Sequence, residues 1–94
     1  MGKSSATEYA ILISPSAGRD LKRLHKTNKV VLQSIDQSIQ ALRLDPRPPG
    51  AEALEGQKAY RKRDGEFRIL YEVDDDKLEV TIQRVRDRKD VYKK

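Results

Sequence analysis

Tyr60-Arg61-Lys62-Arg63-Asp64-Gly65-Glu66-Phe67-Arg68-Ile69-Leu70-Tyr71 is the stretch from which the rest of the chain is best read. Two alternating segments meet at Asp64-Gly65. That dipeptide is a strong β-hairpin signal, because glycine tolerates the positive φ that a type I′ turn demands. With Asp64-Gly65 as the loop, the expected pairs are Arg63 with Glu66, Lys62 with Phe67, Arg61 with Arg68 and Tyr60 with Ile69. Directly opposed residues share a face of a sheet. Tyr60, Phe67, Ile69, Tyr71 and Val73 then make a core face, and Arg61, Arg63, Glu66 and Arg68 lie on the other. Like charges set opposite one another cost stability, and an anionic partner relieves that cost. A charge-rich strand ordinarily presents no more than a solvated face. Here three guanidinium groups converge from two strands, and guanidinium forks match the geometry of phosphate oxygens.

Downstream, Asp74-Asp75-Asp76-Lys77 reads as a turn and Leu78 to Val85 as a further strand. The expected register sets Leu78 opposite Val73, Val80 opposite Tyr71 and Ile82 opposite Ile69, and lays Gln83 beside Arg68. Three consecutive aspartates on a turn point in different directions, so they read as a soluble turn rather than a metal site. Upstream, Glu8 to Ser14 is β-branched and aromatic enough for a strand, and apolar residues on both sides suggest a central or well-covered one. Ser14-Pro15 is a helix start, an N-cap followed by proline at the first helical position. That helix runs to about Lys26, and Asn28 caps a second to about Leu44, with Val31, Leu32, Ile35, Ile39 and Leu42 at helical spacing. Asp45-Pro46-Arg47-Pro48-Pro49-Gly50 then ends it.

The expected architecture is α+β: an N-terminal strand, then a helical hairpin packed on one face of an antiparallel sheet, which a three-strand C-terminal meander completes. Ninety-four residues make a single domain, residues 1–94, with 1–7 as a flexible leader. The absence of cysteine removes disulfides, thiolate nucleophiles and cysteine metal sites, and one histidine cannot build a multi-histidine centre. His25, near the end of the first helix, has no partner pattern around it and reads as a surface residue. No apolar run approaches signal-peptide or membrane-helix length, so the chain is expected to stay in the cytoplasm and off the membrane. A formal net charge of +5 favours an anionic partner.

Strand, helix, helix and meander, with Leu54-Glu55-Gly56 before the meander, Tyr60-Arg61-x-Arg63-x-x-x-Phe67-Arg68-Ile69-x-Tyr71-Glu72 within it and Arg88-Lys89-Asp90-Val91-Tyr92 at its end, resembles the RelE toxin family over essentially the whole chain from Tyr9 to Tyr92. The resemblance implies a small cytoplasmic toxin that enters the ribosomal A site, cleaves the messenger RNA there and is held inactive by a cognate RelB-like antitoxin. It places Arg61 and Arg63 on the two basic positions of the first meander strand and Arg68 on the arginine that stabilises the transition state. Arg86 falls at the leaving group, with Arg88 as its rival, and Tyr92 on the tyrosine that stacks on a nucleotide of the codon. Gln83 joins Arg88 and Tyr92 as a substrate-binding candidate. Arg63 stands where the family pattern has lysine, and arginine hardly loses its proton. The general base is therefore open. Lys62 is no substitute, because strand alternation sends it to the opposite face.

The chemistry so implied uses no metal and no cofactor. The ribose 2′-OH attacks the adjacent phosphate, and guanidinium donors stabilise the charge that builds on its oxygens. The alternative is a ParE-like toxin, which resembles this chain in its helical hairpin and meander but inhibits DNA gyrase by binding, without nuclease activity.

Overall fold

Both helices begin at a side chain able to cap them. In the computed structural model, which describes residues 8–54 and 58–87, the order is β1 (Ala10–Ile13), α1 (Pro15–Thr27), α2 (Lys29–Ala41), β2 (Glu52–Ala53), β3 (Ala59–Asp64), β4 (Phe67–Asp74) and β5 (Glu79–Asp87). Ser14 Oγ accepts from the Ala17 amide at 3.1 Å and Asn28 Oδ1 from the Val31 amide at 3.1 Å. Each satisfies an amide that the first helical turn leaves without an intrahelical partner. α2 ends at Ala41, short of the expected Leu44. The Leu42 and Arg43 amides turn back to Ile39 and Gln40, tightening the last turn, which buries Leu42 and leaves Leu44 exposed.

The five strands form one sheet in the order β1-β5-β4-β3-β2. The α+β architecture is as expected, with one correction to the sheet. It is mixed rather than antiparallel, because β1 runs parallel to β5, Ala10 facing Glu79 and Ile13 facing Ile82. Nor is β1 central or well covered: it lies at the edge, with Leu12 and Ile13 exposed. A two-residue strand, β2, which had no signal in the sequence, adds the opposite edge through Glu52 facing Arg61 and Ala53 facing Tyr60.

The hairpin register differs from expectation. Gly65 has φ +60° while Glu66 does not take a positive φ, so the loop is Gly65-Glu66 with glycine at its first central position, the pattern of a type II′ turn. Asp64 therefore pairs with Phe67, Arg63 with Arg68, Lys62 with Ile69, Arg61 with Leu70 and Tyr60 with Tyr71. Partners slide by an even number of residues, and a period of two then leaves every side chain on its expected face. The next turn is displaced in the same way. Asp74 Oδ1 accepts from the Asp76 and Lys77 amides, and Leu78 sits in the turn at φ +56°, partly exposed rather than inward. Val73 consequently faces Val80 and Tyr71 faces Ile82. Beyond that pair comes a β-bulge: Leu70 faces Arg84, Ile69 faces Val85 and Arg68 faces Arg86, so Gln83 is the extra residue.

The core lies between the helices and one face of the sheet. Ala17 and Leu24 of α1, Ile35 and Ile39 of α2, and Leu42 meet Ile69, Tyr71, Val73, Val80, Ile82 and Val85. Tyr60 stacks on Tyr71 with ring centroids 5.7 Å apart. Lys62 points to this side, its ammonium donating to the Ser38 carbonyl of α2, and Asp64 accepts from the hydroxyls of Ser34 and Ser38. These contacts tie α2 to β3.

Candidate functional site: the open arginine face

Register alone builds the site. Arg63, Arg68 and Arg86 lie opposite one another across β3, β4 and β5. Adjacent strands are about 4.8 Å apart, so three guanidinium groups rise side by side from one row. The neighbouring row runs Glu52, Arg61, Leu70 and Arg84 across β2 to β5. Both rows face away from the helices. Among the described residues no element covers this face, although Arg61, Arg68 and Arg86 are partly buried by one another and by the strands.

Arg61, Arg63 and Arg68 thus share one face, as expected, but Arg68 is opposed by Arg63 rather than by Arg61. Arg86 joins them through the bulge. Gln83 does not lie beside Arg68; it occupies the bulge, and its carbonyl accepts from Ser14 Oγ at 3.0 Å. Arg88 and Tyr92 lie outside the described residues. Lys62 is on the helix side, and His25 is exposed in the last turn of α1.

Glu52 is the member that the sequence did not announce. Its carboxylate receives Arg61 Nε at 3.1 Å and Arg61 Nη2 at 2.5 Å. The hydrogen bonds and charge of Arg61, followed by the charges of Arg63 and Arg68, hold this carboxyl below its ordinary range. One exposed carboxylate therefore senses all three arginines. Among the described residues, Arg63, Arg68 and Arg86 make no salt bridge. The arrangement can bind a phosphate through several guanidinium forks while presenting one ionised carboxylate beside it.

The loop that delivers β2 is tied down at its start. Arg47 donates from Nε to the Tyr60 hydroxyl at 2.7 Å and from its two terminal nitrogens to Asp75 at 3.2 and 2.7 Å. Tyr9 donates to the same Asp75 at 2.7 Å, and the Tyr71 hydroxyl donates to the Pro46 carbonyl at 2.7 Å. Asp75 is held below the ordinary carboxylate range by Arg47 and then Tyr9. Asp75, one of the acidic triplet, thus anchors the proline-rich loop. Nothing in the sequence foretold this pairing, because Arg47 and Asp75 are joined by tertiary packing alone.

Residues 11–92 match the family described as ParE toxin of type II toxin-antitoxin system, parDE. No curated protein sequence matches. Among solved structures, the toxin-antitoxin complex RelBE2 from Mycobacterium tuberculosis is 26% identical with a TM-score of 0.73, over 92% of this chain and 97% of that one. The archaeal RelE-RelB complex from Pyrococcus horikoshii is 23% identical with a TM-score of 0.73, over 86% and 96%. The YoeB/ParE toxin from Agrobacterium tumefaciens is 19% identical with a TM-score of 0.74, over 83% and 96%. These last two bear on fold alone. A family match over nearly the whole chain, on a sheet and helical hairpin shared with RelE and YoeB toxins, leads to one assignment: the chain belongs to the ParE/RelE superfamily of toxins of type II toxin-antitoxin systems.

Proposed function

We propose that this toxin is a ribosome-dependent endoribonuclease that cleaves messenger RNA in the A site and so inhibits translation. The observation that carries the reading is the row Arg63, Arg68, Arg86 with Glu52 and Arg61 in the row beside it. Cleavage by the ribose needs two things at one phosphate: donors for the charge on its non-bridging oxygens and an acceptor for the 2′-OH proton. Arg68, central in its row, takes the non-bridging oxygens, with Arg61 and Arg63 beside it. Glu52 accepts the proton, a role that Arg63 cannot fill. The O2′–P bond forms as the P–O5′ bond breaks, Arg86 offsets charge on the departing O5′, and the proton that Glu52 took passes through water to that oxygen. The products are a 2′,3′-cyclic phosphate and a 5′-hydroxyl. Because Glu52 is a weak base when its pKa is held low, most of the rate must come from positioning, which the ribosome supplies. Arg88 and Tyr92 contact the codon in the same reading.

Two of the structural neighbours were solved as complexes of toxin with RelB-type antitoxin. By the same reasoning this chain, in the cytoplasm, is held inactive by a RelB-like antitoxin whose acidic side chains cover the arginine face. A second reading is favoured by the description of the matching family as ParE toxin: inhibition of DNA gyrase by binding.

Both readings meet one experiment, in which messenger RNA on programmed ribosomes is assayed beside gyrase supercoiling. Arg68→Ala should slow cleavage by about 10² to 10³, the loss expected for one oxyanion donor, with the fold retained. Glu52→Gln should slow it while leaving ribosome binding in place. Replacing the 2′-OH at the cut site should abolish cleavage. Intact messenger together with inhibited gyrase would establish the second reading instead.

A further inference from the structure

Arg86 reaches the arginine face only because of the bulge. Were the pairing of Val73 with Val80 and Tyr71 with Ile82 continued without interruption, Val85 would stand with the arginines and Arg84 and Arg86 would face the core. One extra residue, Gln83, reverses the faces. A bulge disrupts the ladder locally, and its backbone groups need other partners. Here they are supplied by Ser14, the N-cap of α1, and by Asp20 within that helix. Ser14 Oγ donates to the Gln83 carbonyl at 3.0 Å, and Asp20 Oδ2 accepts from the Val85 amide at 2.8 Å. The same carboxylate takes Arg84 Nε at 2.9 Å and Arg84 Nη2 at 3.3 Å.

Asp20 is 4% exposed, and it is the buried charged residue among those described. Burial pushes its carboxyl up, but hydrogen bonds from Arg84 and the Val85 amide outweigh this and leave it below the ordinary value. An ion kept inside at that cost, on a helix that otherwise packs through Ala17 and Leu24, calls for a reason beyond packing.

We propose that Asp20 is a positioning residue for the arginine face: by gripping the Val85 amide and the Arg84 guanidinium it holds the bulge at Gln83, and so sets Arg86 opposite Arg68. Asp20 touches no reacting atom. It also turns the Arg84 side chain toward α1, away from the row of Glu52 and Arg61. The effect on cleavage rests on the nuclease reading above; the effect on register does not.

The test uses a double-mutant cycle. Deleting Gln83 writes the register into the chain, since Ile82 followed directly by Arg84 pairs with Tyr71 and Leu70 as a regular ladder. Asp20→Ala and Asp20→Asn are made in the full chain and in the Gln83-deleted chain. The β4–β5 register is read from inter-strand NMR contacts between Ile69 and Val85 and between Arg68 and Arg86, and cleavage is read on programmed ribosomes. In the full chain Asp20→Ala should weaken or shift the Arg68–Arg86 contacts and lower kcat about tenfold or more with KM little changed, the signature of a lost transition-state interaction. In the deleted chain the same substitution should leave those contacts in place and cost less than about threefold. Contacts that persist in full-length Asp20→Ala overturn the proposal, as do equal losses or unfolding in both backgrounds, which assign Asp20 to packing alone. A shifted register with undiminished cleavage supports the hold of Asp20 on the bulge and instead removes Arg86 from the nuclease mechanism.

Discussion

At the scale of single residues, the consequence most open to measurement concerns Tyr71. Its ring is 1% exposed, and its hydroxyl donates to the Pro46 carbonyl. Burial, then the charge of Tyr60, pushes its pKa up to about 12. A tyrosine whose folded pKa is raised contributes stability that is fully present below its unfolded value near 10. That stability is lost as pH rises toward the folded value, because the unfolded chain releases the proton first. Between pH 10 and 12 this one group should remove about 2–3 kcal/mol. Tyr71→Phe should lack that part of the alkaline slope when urea midpoints are compared over the interval. At pH 7 the variant should be less stable by about 1–3 kcal/mol, since the Pro46 carbonyl loses its donor. Equal alkaline slopes for the two proteins would refute the account.

Elements are set by turns and caps, and the hairpin turn carries the sharpest dependence. A Cβ at Gly65 would meet nothing within 4 Å, so only its φ of +60° penalises a side chain there. Gly65→Ala should therefore cost about 1–2 kcal/mol, the cost of the left-handed region for a residue with a Cβ. Because that turn sets the register of Arg63 against Arg68, amide exchange should quicken along β3 and the first half of β4 more than in α1. Uniform quickening over the whole chain would show that the turn has no local hold on the hairpin. The site was partly legible at this scale: Asp64-Gly65 marked the hairpin and alternation sorted Arg61, Arg63 and Arg68 from Lys62. The pairing was not, since Asp-Gly at one position is compatible with more than one loop, and only the backbone angles separate them.

For the molecule as a whole, the proposed ribosome-dependent reading makes the excess of positive charge and the open arginine face a surface whose binding is dominated by phosphate contacts. The logarithm of the affinity for ribosomes should fall linearly with the logarithm of salt, by roughly 0.7 to 0.9 per phosphate neutralised. Losing one such contact in Arg63→Ala should reduce the slope by about that amount, whichever codon occupies the A site. An unchanged slope would place Arg63 off the phosphate backbone. Among the described residues no helix is long and apolar enough to cross a membrane.

The sequence by itself determined the two helices, the meander, the face on which Arg61, Arg63 and Arg68 lie, and the kinship that the family comparison bears out. Caps, turn residues and alternation are local, and each acts within a few positions of the residue that encodes it. Tertiary structure alone decided the rest. Glu52 meets Arg61 because a two-residue strand pairs with β3, Arg47 meets Asp75 across the loop, and Asp20 reaches the β5 bulge from α1. Those contacts join residues far apart in the chain, and no periodicity announces them. The bulge is the clearest case: one unpaired residue exchanges the two faces of β5, and its hydrogen-bond partners lie on elements more than sixty residues earlier.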